Sequence, residues 1–258
     1  MKLEKIDKGM EFDWGKASLD YAKYRDIYPQ SMYQKLNELG VGRKDEKCLD
    51  IGTGTGVLPR NMYKYGAHFI GMDISENQIA MAKSLSNCMD IKYISGNAET
   101  LPFKDESLSS VSAVQCWRYF DKDKLIPELH RVLKSNGVLA IAFMQWLPEE
   151  CPITDLSLKL VKKFNPQWNP FNTRIPIDDN ALILKGFCKY EYISYDEEIP
   201  FTYETWNGRM KASRGVEASL SPEKVEEFSK EHLEMLKSMT DDNFTIKHQI
   251  VIFSFNKK

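Results

Sequence analysis

No run of about 18 consecutive apolar residues occurs anywhere in this 258-residue chain, so its sequence offers no helix that would span a membrane. Its first residues, Met1-Lys2-Leu3-Glu4-Lys5, have no apolar stretch behind them, and no export signal is visible. The five cysteines, Cys48, Cys88, Cys116, Cys151 and Cys188, are scattered and odd in number, and no two form a CxxC pair. That spacing excludes a disulfide framework and a zinc ribbon, fits a reducing cytoplasm, and leaves isolated thiols as small core residues. Charge of one sign is also lacking: 35 basic against 37 acidic side chains give a formal net charge of -2. Such a balance supplies no long-range field for a polyphosphate chain, so nucleic acid is not an expected partner. Histidine is scarce, and His68, His130, His232 and His248 each read as structural, with no metal centre among them. Repeats and low-complexity segments are absent.

What is present suffices for a full core: 42% of the residues are apolar and 28% charged. From Lys47 to Phe143 short apolar runs alternate with helical periodicity, the pattern of consecutive β-α units. Strands are expected at Cys48 to Ile51, His68 to Met72, Ile91 to Ile94, Ser110 to Gln115 and Val138 to Phe143. Helices fill the gaps at Val57 to Tyr65, at Glu76 to Ser86 behind a Ser75 cap, and at Lys122 to Lys134, where Asn136-Gly137 supplies a helix stop. Right-handed crossovers make this an α/β fold with a parallel sheet covered on both faces. A helical region, Leu19 to Gly40, precedes it. After Phe143, prolines 148, 152, 166, 170 and 176 punctuate an aromatic-rich stretch with amphipathic segments at Ile153 to Phe164 and Asp178 to Lys185. Lys189 to Tyr195 reads as a strand, Pro222 to Ser238 as a long helix and Phe244 to Phe255 as a last strand.

Chemistry concentrates at Asp50-Ile51-Gly52-Thr53-Gly54-Thr55-Gly56, between a strand and a helix. Glycines there permit φ > 0 and let backbone N–H groups approach a ligand. A dinucleotide fold wants a third glycine where Val57 stands, and a phosphate-cradling loop wants Lys-Ser or Lys-Thr after Gly56; both are missing. Asp50 at the strand end would repel a pyrophosphate but attract a ligand carrying an ammonium and a sulfonium. Asp73, at the end of the next strand, is placed to accept hydrogen bonds from ribose hydroxyls. The third strand leads into Gly96-Asn97-Ala98-Glu99-Thr100-Leu101-Pro102-Phe103, where Asn97 and the Ala98 backbone have the groups to read an adenine edge. The fourth ends at Gln115. All four positions lie at the carboxyl ends of parallel strands, where open α/β sheets bind ligands.

Lys47 to Gly56, Gly71-Met72-Asp73-Ile74-Ser75, Gly96 to Phe103 and Arg131 to Leu139 together resemble the class I S-adenosylmethionine-dependent methyltransferases, in their ubiquinone/menaquinone-biosynthesis-like, type 11 branch. The resemblance covers roughly residues 10 to 145. It implies a Rossmann-like seven-stranded, mostly parallel sheet, order 3-2-1-4-5-7-6 with the last strand antiparallel, helices on both faces and an inserted cap. It implies S-adenosylmethionine as cofactor and S-adenosylhomocysteine as product. By position, Asp50 would serve the methionine ammonium indirectly or through the loop, Gly52, Thr53 and Gly54 the methionine portion, and Asp73 the ribose. Ile74 and Gln78 would flank the adenine, Asn97, Ala98 and Glu99 would border it, and Gln115 would lie under the methionine chain. Asn97 stands where Asp is commoner, and Gln78 where an apolar residue is usual. Tyr21 to Pro29 is similar to the N-terminal segment of trans-aconitate methyltransferase-like enzymes, which implies that Tyr24 and Arg25 close over the cofactor, Arg25 pairing with its carboxylate.

On this reading residues 1–45 are a helical lid, 46–145 the cofactor core, 146–187 and 200–240 cap insertions, and 188–199 and 243–256 final strands. Methyl transfer needs alignment in a dry pocket rather than a protein nucleophile. Trp146, Phe164, Trp168, Phe171, Tyr203 and Trp206 offer aromatic surface to exclude water, although packing alone explains most of them. Arg118, Arg174, Arg209 and Arg214 are interleaved with them. Trp117, Trp206, Arg209 and Arg214 are the candidate substrate residues, the arginines suiting a carboxylate-bearing small molecule. The competing readings are a cofactor-binding protein without catalysis, a nicotinamide-dependent oxidoreductase, which Asp50 and Val57 oppose, and a nucleic-acid methyltransferase, which the charge opposes. An arsenic or thiol methyltransferase would want clustered cysteines.

Overall fold

The computed structural model describes residues 2–4, 6–170, 174–175 and 186–258, and the short apolar runs of the sequence are its strands. β1 (Lys47–Ile51), β2 (His68–Asp73), β3 (Lys92–Ser95), β4 (Leu108–Val114), β5 (Leu133–Trp146), β6 (Phe187–Phe201) and β7 (Phe244–Lys257) make one sheet ordered β3-β2-β1-β4-β5-β7-β6. This is the order expected. The pairings of β2 with β1 and β3, and of β4 with β1 and β5, are parallel. Ile51 pairs with Met72, and Asp73 with Ser95, so β1, β2 and β3 end at one edge. β1 and β4 are buried almost throughout, as strands covered on both faces must be.

The helices among the described residues are α1 (Ser18–Tyr24), α2 (Gln30–Glu38), α3 (Val57–Met62), α4 (Glu76–Leu85), α5 (Lys122–Val132), α6 (Pro152–Phe164), α7 (Tyr203–Lys211) and α8 (Pro222–Met239). Three differences from the sequence reading have physical causes. The helical region Leu19 to Gly40 is two helices, because Pro29 disfavours helical geometry at Tyr28 and itself starts α2 from an extended φ/ψ of -69°/153°. The helix expected to reach Lys134 ends at Val132, since the fully buried Leu133 enters β5 and pairs with Leu108. Asn136, at φ 62°, therefore bends a strand rather than stopping a helix: the register steps from Leu108↔Leu133 to Ser110↔Val138 across it. Finally, α7 was not anticipated; a capping box starts it, with Thr202 Oγ1 accepting from Thr205 N and Thr205 Oγ1 from Thr202 N. The helix expected over Asp178 to Lys185, and Phe171, lie outside the described residues.

Two compact units divide the chain. One comprises Tyr28–Met144, Ile175–Tyr195 and Ile250–Lys258. Its core joins Leu49 and Ile51 of β1, Val111 and Ala113 of β4, Leu139, Ile141 and Phe143 of β5 and Val251 and Phe253 of β7. The other comprises Met1–Ile27, Gln145–Arg174 and Asp196–Gln249. α1 thus falls in one unit and α2 in the other.

The second unit is organised around Trp206, which is completely buried. Its ring meets Phe201 at 4.9 Å and Trp146 at 6.2 Å between centroids. Its Nε1 donates to Ser157 Oγ at 3.0 Å. Ser157 Oγ lies 2.9 Å from His232 Nε2, and His232 Nδ1 lies 2.8 Å from Asn207 Oδ1. An amide oxygen can only accept, so Nδ1 carries the proton, and the single proton of Ser157 Oγ lies between two acceptors, His232 Nε2 and Ile153 O at 2.7 Å. Burial holds this imidazole neutral, its pKa pushed down to about 3. The chain of bonds ties α6, α7 and α8. Replacing Ser157 by Ala strands the Trp206 N–H and His232 Nε2 together, and we expect a loss of about 2 to 4 kcal/mol of stability in urea denaturation; a loss below about 0.5 kcal/mol would show the network to be dispensable.

Candidate cofactor site

The carboxyl ends of β1, β2 and β4 carry the groups that the sequence placed together, all within the first unit. The glycine loop leaves β1 with Gly52, Gly54 and Gly56 at φ 62°, 56° and 75°. Two of these glycines are sterically required. A Cβ on Gly52 would meet Cys116 Cβ at 2.7 Å, and one on Gly56 would meet Tyr93 Oη at 2.3 Å. The loop is pinned from below, Thr53 N donating to Met72 O and Gly54 N to Asp73 Oδ2, at 3.0 and 2.9 Å.

Asp73 therefore works in two directions. Oδ2 takes the Gly54 amide, and Oδ1 takes Ser75 N at 2.9 Å. Burial raises its pKa while these amide bonds pull it back. Ser75 in turn caps α4 by accepting from Gln78 N. Ile74 beside it is 58% exposed, whereas Gln78 is buried, so only the former offers an open apolar surface.

Asp50 lies at the end of β1, under the glycine loop. It is 2% exposed and accepts a hydrogen bond from Ser112 Oγ at 2.7 Å. Its carboxylate thus faces the loop from beneath. Desolvation raises its pKa to about 7, hydrogen bonding opposing and the Asp73 charge adding to the shift.

In the turn after β3, Asn97 Oδ1 accepts from Glu99 N at 2.9 Å. The acceptor expected to read an adenine is thus engaged by the turn itself. Ala98 is buried, and Glu99 Oε1 accepts from Asp121 N at 2.8 Å. Gln115, at φ 62°, donates from Nε2 to Met144 O at 2.7 Å. Two contributors went unnoticed in the sequence. Cys116 fills the space under Gly52, its thiol donating to Ile51 O at 3.1 Å. Arg131 of α5 donates to the carbonyls of Leu101 and Phe103 at 2.9 and 2.7 Å while Glu128 accepts from Leu101 N at 2.8 Å, fixing the turn after β3. Only the Arg131 to Leu139 segment of the sequence pattern hinted at this.

The remaining candidates divide between the units. Trp117 is core in the first, edge-on to Phe120 at 6.5 Å, and Arg118 lies over Phe143 at 4.8 Å. In the second unit Tyr24 donates to Glu204 at 3.1 Å, and Arg25 stacks over Tyr21 and Trp14 at 4.4 and 5.9 Å. Arg174 binds Glu150 at 2.7 Å and Asp196 at 2.8 Å. Trp206 is interior, not a pocket wall. Arg214 is buried, ion-paired with Asp7 and bonded to Asn169 O at 2.9 Å, so the carboxylate it holds is the chain's own. Arg209 is buried with its guanidinium 4.8 Å from the Trp146 ring.

A glycine loop at the end of β1, a carboxylate beneath it and another at the end of β2 stand together at the carboxyl ends of a class I, Rossmann-like sheet, where such folds bind ligands. Sequence comparison agrees: residues 49–141 match the family model described as "Methyltransferase domain". A demethylmenaquinone methyltransferase of Chlorobaculum tepidum is 35% identical over 49% of this chain and 52% of its own length. The corresponding enzyme of Thermotoga maritima is 28% identical over 73% and 78%. A putative type II methyltransferase from Anaeromyxobacter dehalogenans has the same fold, with a TM-score of 0.61 at 19% identity, covering 88% of this chain and 96% of that one. The chain spans about half the length of the first curated relatives it matches. Over residues 49–141 the chain is thus similar to the methyltransferase domain, and its sheet has the class I, Rossmann-like order.

S-adenosylmethionine fits these residues: its cations suit the buried Asp50 charge, and the left-handed glycines leave room for its methionine end. Adding a single methyl at Gly52 both strains φ and collides with Cys116. We expect Gly52→Ala to weaken S-adenosylhomocysteine binding by at least about tenfold in calorimetry, with unchanged affinity as the refuting result.

Proposed function

We propose that the chain transfers the methyl group of S-adenosylmethionine to a small carboxylate-bearing acceptor. The observation that carries this reading is the pair of acids around one glycine loop, Asp50 below it and Asp73 bonded to Gly54 and Ser75. The bound cofactor supplies a methyl already activated by its sulfonium, so the protein's task is to bind, orient and exclude water. Gly52, Thr53 and Gly54 hold the methionine end, Asp73 turns toward the ribose, and Ile74 covers the adenine. Arg209 takes the acceptor's anionic group, its guanidinium pre-set on the Trp146 face. A net charge of -2 and the lack, among the described residues, of a helix long and apolar enough to cross a membrane support a small-molecule acceptor in the cytoplasm over a nucleic acid or membrane partner.

Calorimetry with S-adenosylmethionine on wild type and Asp73→Ala tests the cofactor: micromolar binding lost at least about tenfold in the variant is expected, and a wild type that does not bind overturns the reading. Asp50 adds a signature in pH. Its pKa rises to about 7 on folding from an unfolded value near 4, so the protonated form favours the fold. That contribution is full below about pH 4 and is lost as pH rises through 7. Asp50→Asn should therefore flatten the decline of melting temperature between pH 5 and about 7.5. A cationic ligand favours the ionised carboxylate, so S-adenosylmethionine affinity should rise from about pH 6 to 8 with proton release. An affinity independent of pH would show that Asp50 does not face the ligand's charge.

A further inference from the structure

Within the second unit, α1 is held by few contacts. None of its residues is buried, and Leu19 is 72% exposed. One ring contact and two ion pairs join it to α7. The Tyr24 ring packs against Gly208, where a Cβ would come within 2.4 Å of it. Lys23 and Glu204 pair at 2.8 Å, but both are exposed, and such pairs contribute little. Lys211 and Asp20, 2.9 Å apart, keep only 24% and 22% of their side chains exposed, so their attraction is the less screened. An element so lightly held opens locally before the rest of the fold. Tyr24 also walls a cavity of about 440 Å³ together with Tyr203, Glu204, Asn207, Lys211 and Asp242, so the seating of α1 sets the shape of that cavity.

A third carboxyl stands at this latch. Glu217 follows α7, its backbone N–H donating to Lys211 O at 3.1 Å. Its Oε2 is buried and has no hydrogen-bond partner. A buried oxygen without a donor suits a protonated acid better than a carboxylate ion. Burial, and after it the charge of Asp20, pushes the Glu217 pKa up to about 7, with Lys211 opposing. The carboxylate charges that reach Lys211 are those of Asp20 on α1, Glu217 after α7 and Glu226 on α8. One ammonium thus serves three acids, and Asp20 and Glu217 repel each other when both are ionised.

We propose that Glu217 is the proton-operated release of α1. Neutral, it leaves Lys211 to Asp20, and the helix is seated on α7. Ionised, it competes for Lys211, repels Asp20 and loosens the helix, taking Tyr24 from the cavity wall. A carboxyl whose pKa is higher in the seated form favours that form when protonated. The contribution of Glu217 to seating is therefore full below about pH 4.5 and is lost as pH rises through about 7. The device is independent of the methyl-transfer reading.

Hydrogen exchange on the full chain tests it, read as protection factors so that the intrinsic pH dependence is removed. The helical amides of α1 and the Arg25 amide, which donates to Tyr21 O at 3.0 Å, should lose about tenfold in protection between about pH 6 and pH 8. That factor follows from a carboxyl pKa of 4.5 when α1 is released and about 7 when it is seated. The amides of α6 and α8 should keep their protection. Glu217→Gln should hold α1 protection level across this range, and Asp20→Asn should lower it at both ends. Carbon-13 NMR of the wild-type glutamate carboxyls should show one titrating near pH 7, a reading that needs no variant to fold. Equal α1 protection at the two pH values, a fall shared by α6 and α8, no glutamate titrating above about pH 6, or a wild-type response persisting in Glu217→Gln would each overturn the proposal.

Discussion

The first unit's site hangs on one carboxylate. Asp73 closes β2, and its two oxygens accept from Gly54 N and Ser75 N, each at 2.9 Å. The first bond fixes the glycine loop of the neighbouring strand, and the second fixes the start of α4. Parallel pairing of β1 with β2 sets the two strand ends at matching heights, which brings the loop within reach of Asp73 at all. Sheet register, loop shape and helix entry are thus one constraint, expressed through a single residue at a strand end.

The same economy explains why Asp50 is buried rather than displayed. A carboxylate in contact with solvent beside the loop would be screened and would act weakly on a ligand. Placed under the loop and bonded to Ser112, it acts through low-dielectric surroundings, at the cost of a raised pKa. A buried carboxylate with a perturbed pKa beside a glycine loop is a feature that sites for charged ligands commonly carry.

The strand order and the loop were legible in the sequence because they rest on local signals: apolar runs of strand length, glycines between strand and helix, and an acid at each strand end. What was not legible depends on contacts between distant residues. Asn136-Gly137 carries the chemistry of a helix stop, yet burial of Leu133 decides that it bends β5 instead. Arg131 and Cys116 have no local mark of their role, since one grips carbonyls nearly thirty residues away and the other fills the space under Gly52. Arg214 and Trp206 misled for the same reason: an arginine and a tryptophan among prolines resemble pocket residues until Asp7 and Ser157 are found opposite them.

That last correction narrows the acceptor problem in a useful way. Of the four arginines that stand among the aromatic residues, Arg174 is matched by Glu150 and Asp196, Arg214 by Asp7, and Arg118 stacks on Phe143. Arg209 lies with its guanidinium 4.8 Å from the Trp146 ring. The methyl donor is thus specified by backbone geometry and two acids in the first unit. In the second unit it is tertiary packing, not local sequence, that shows Arg174 and Arg214 to be held by the chain's own carboxylates.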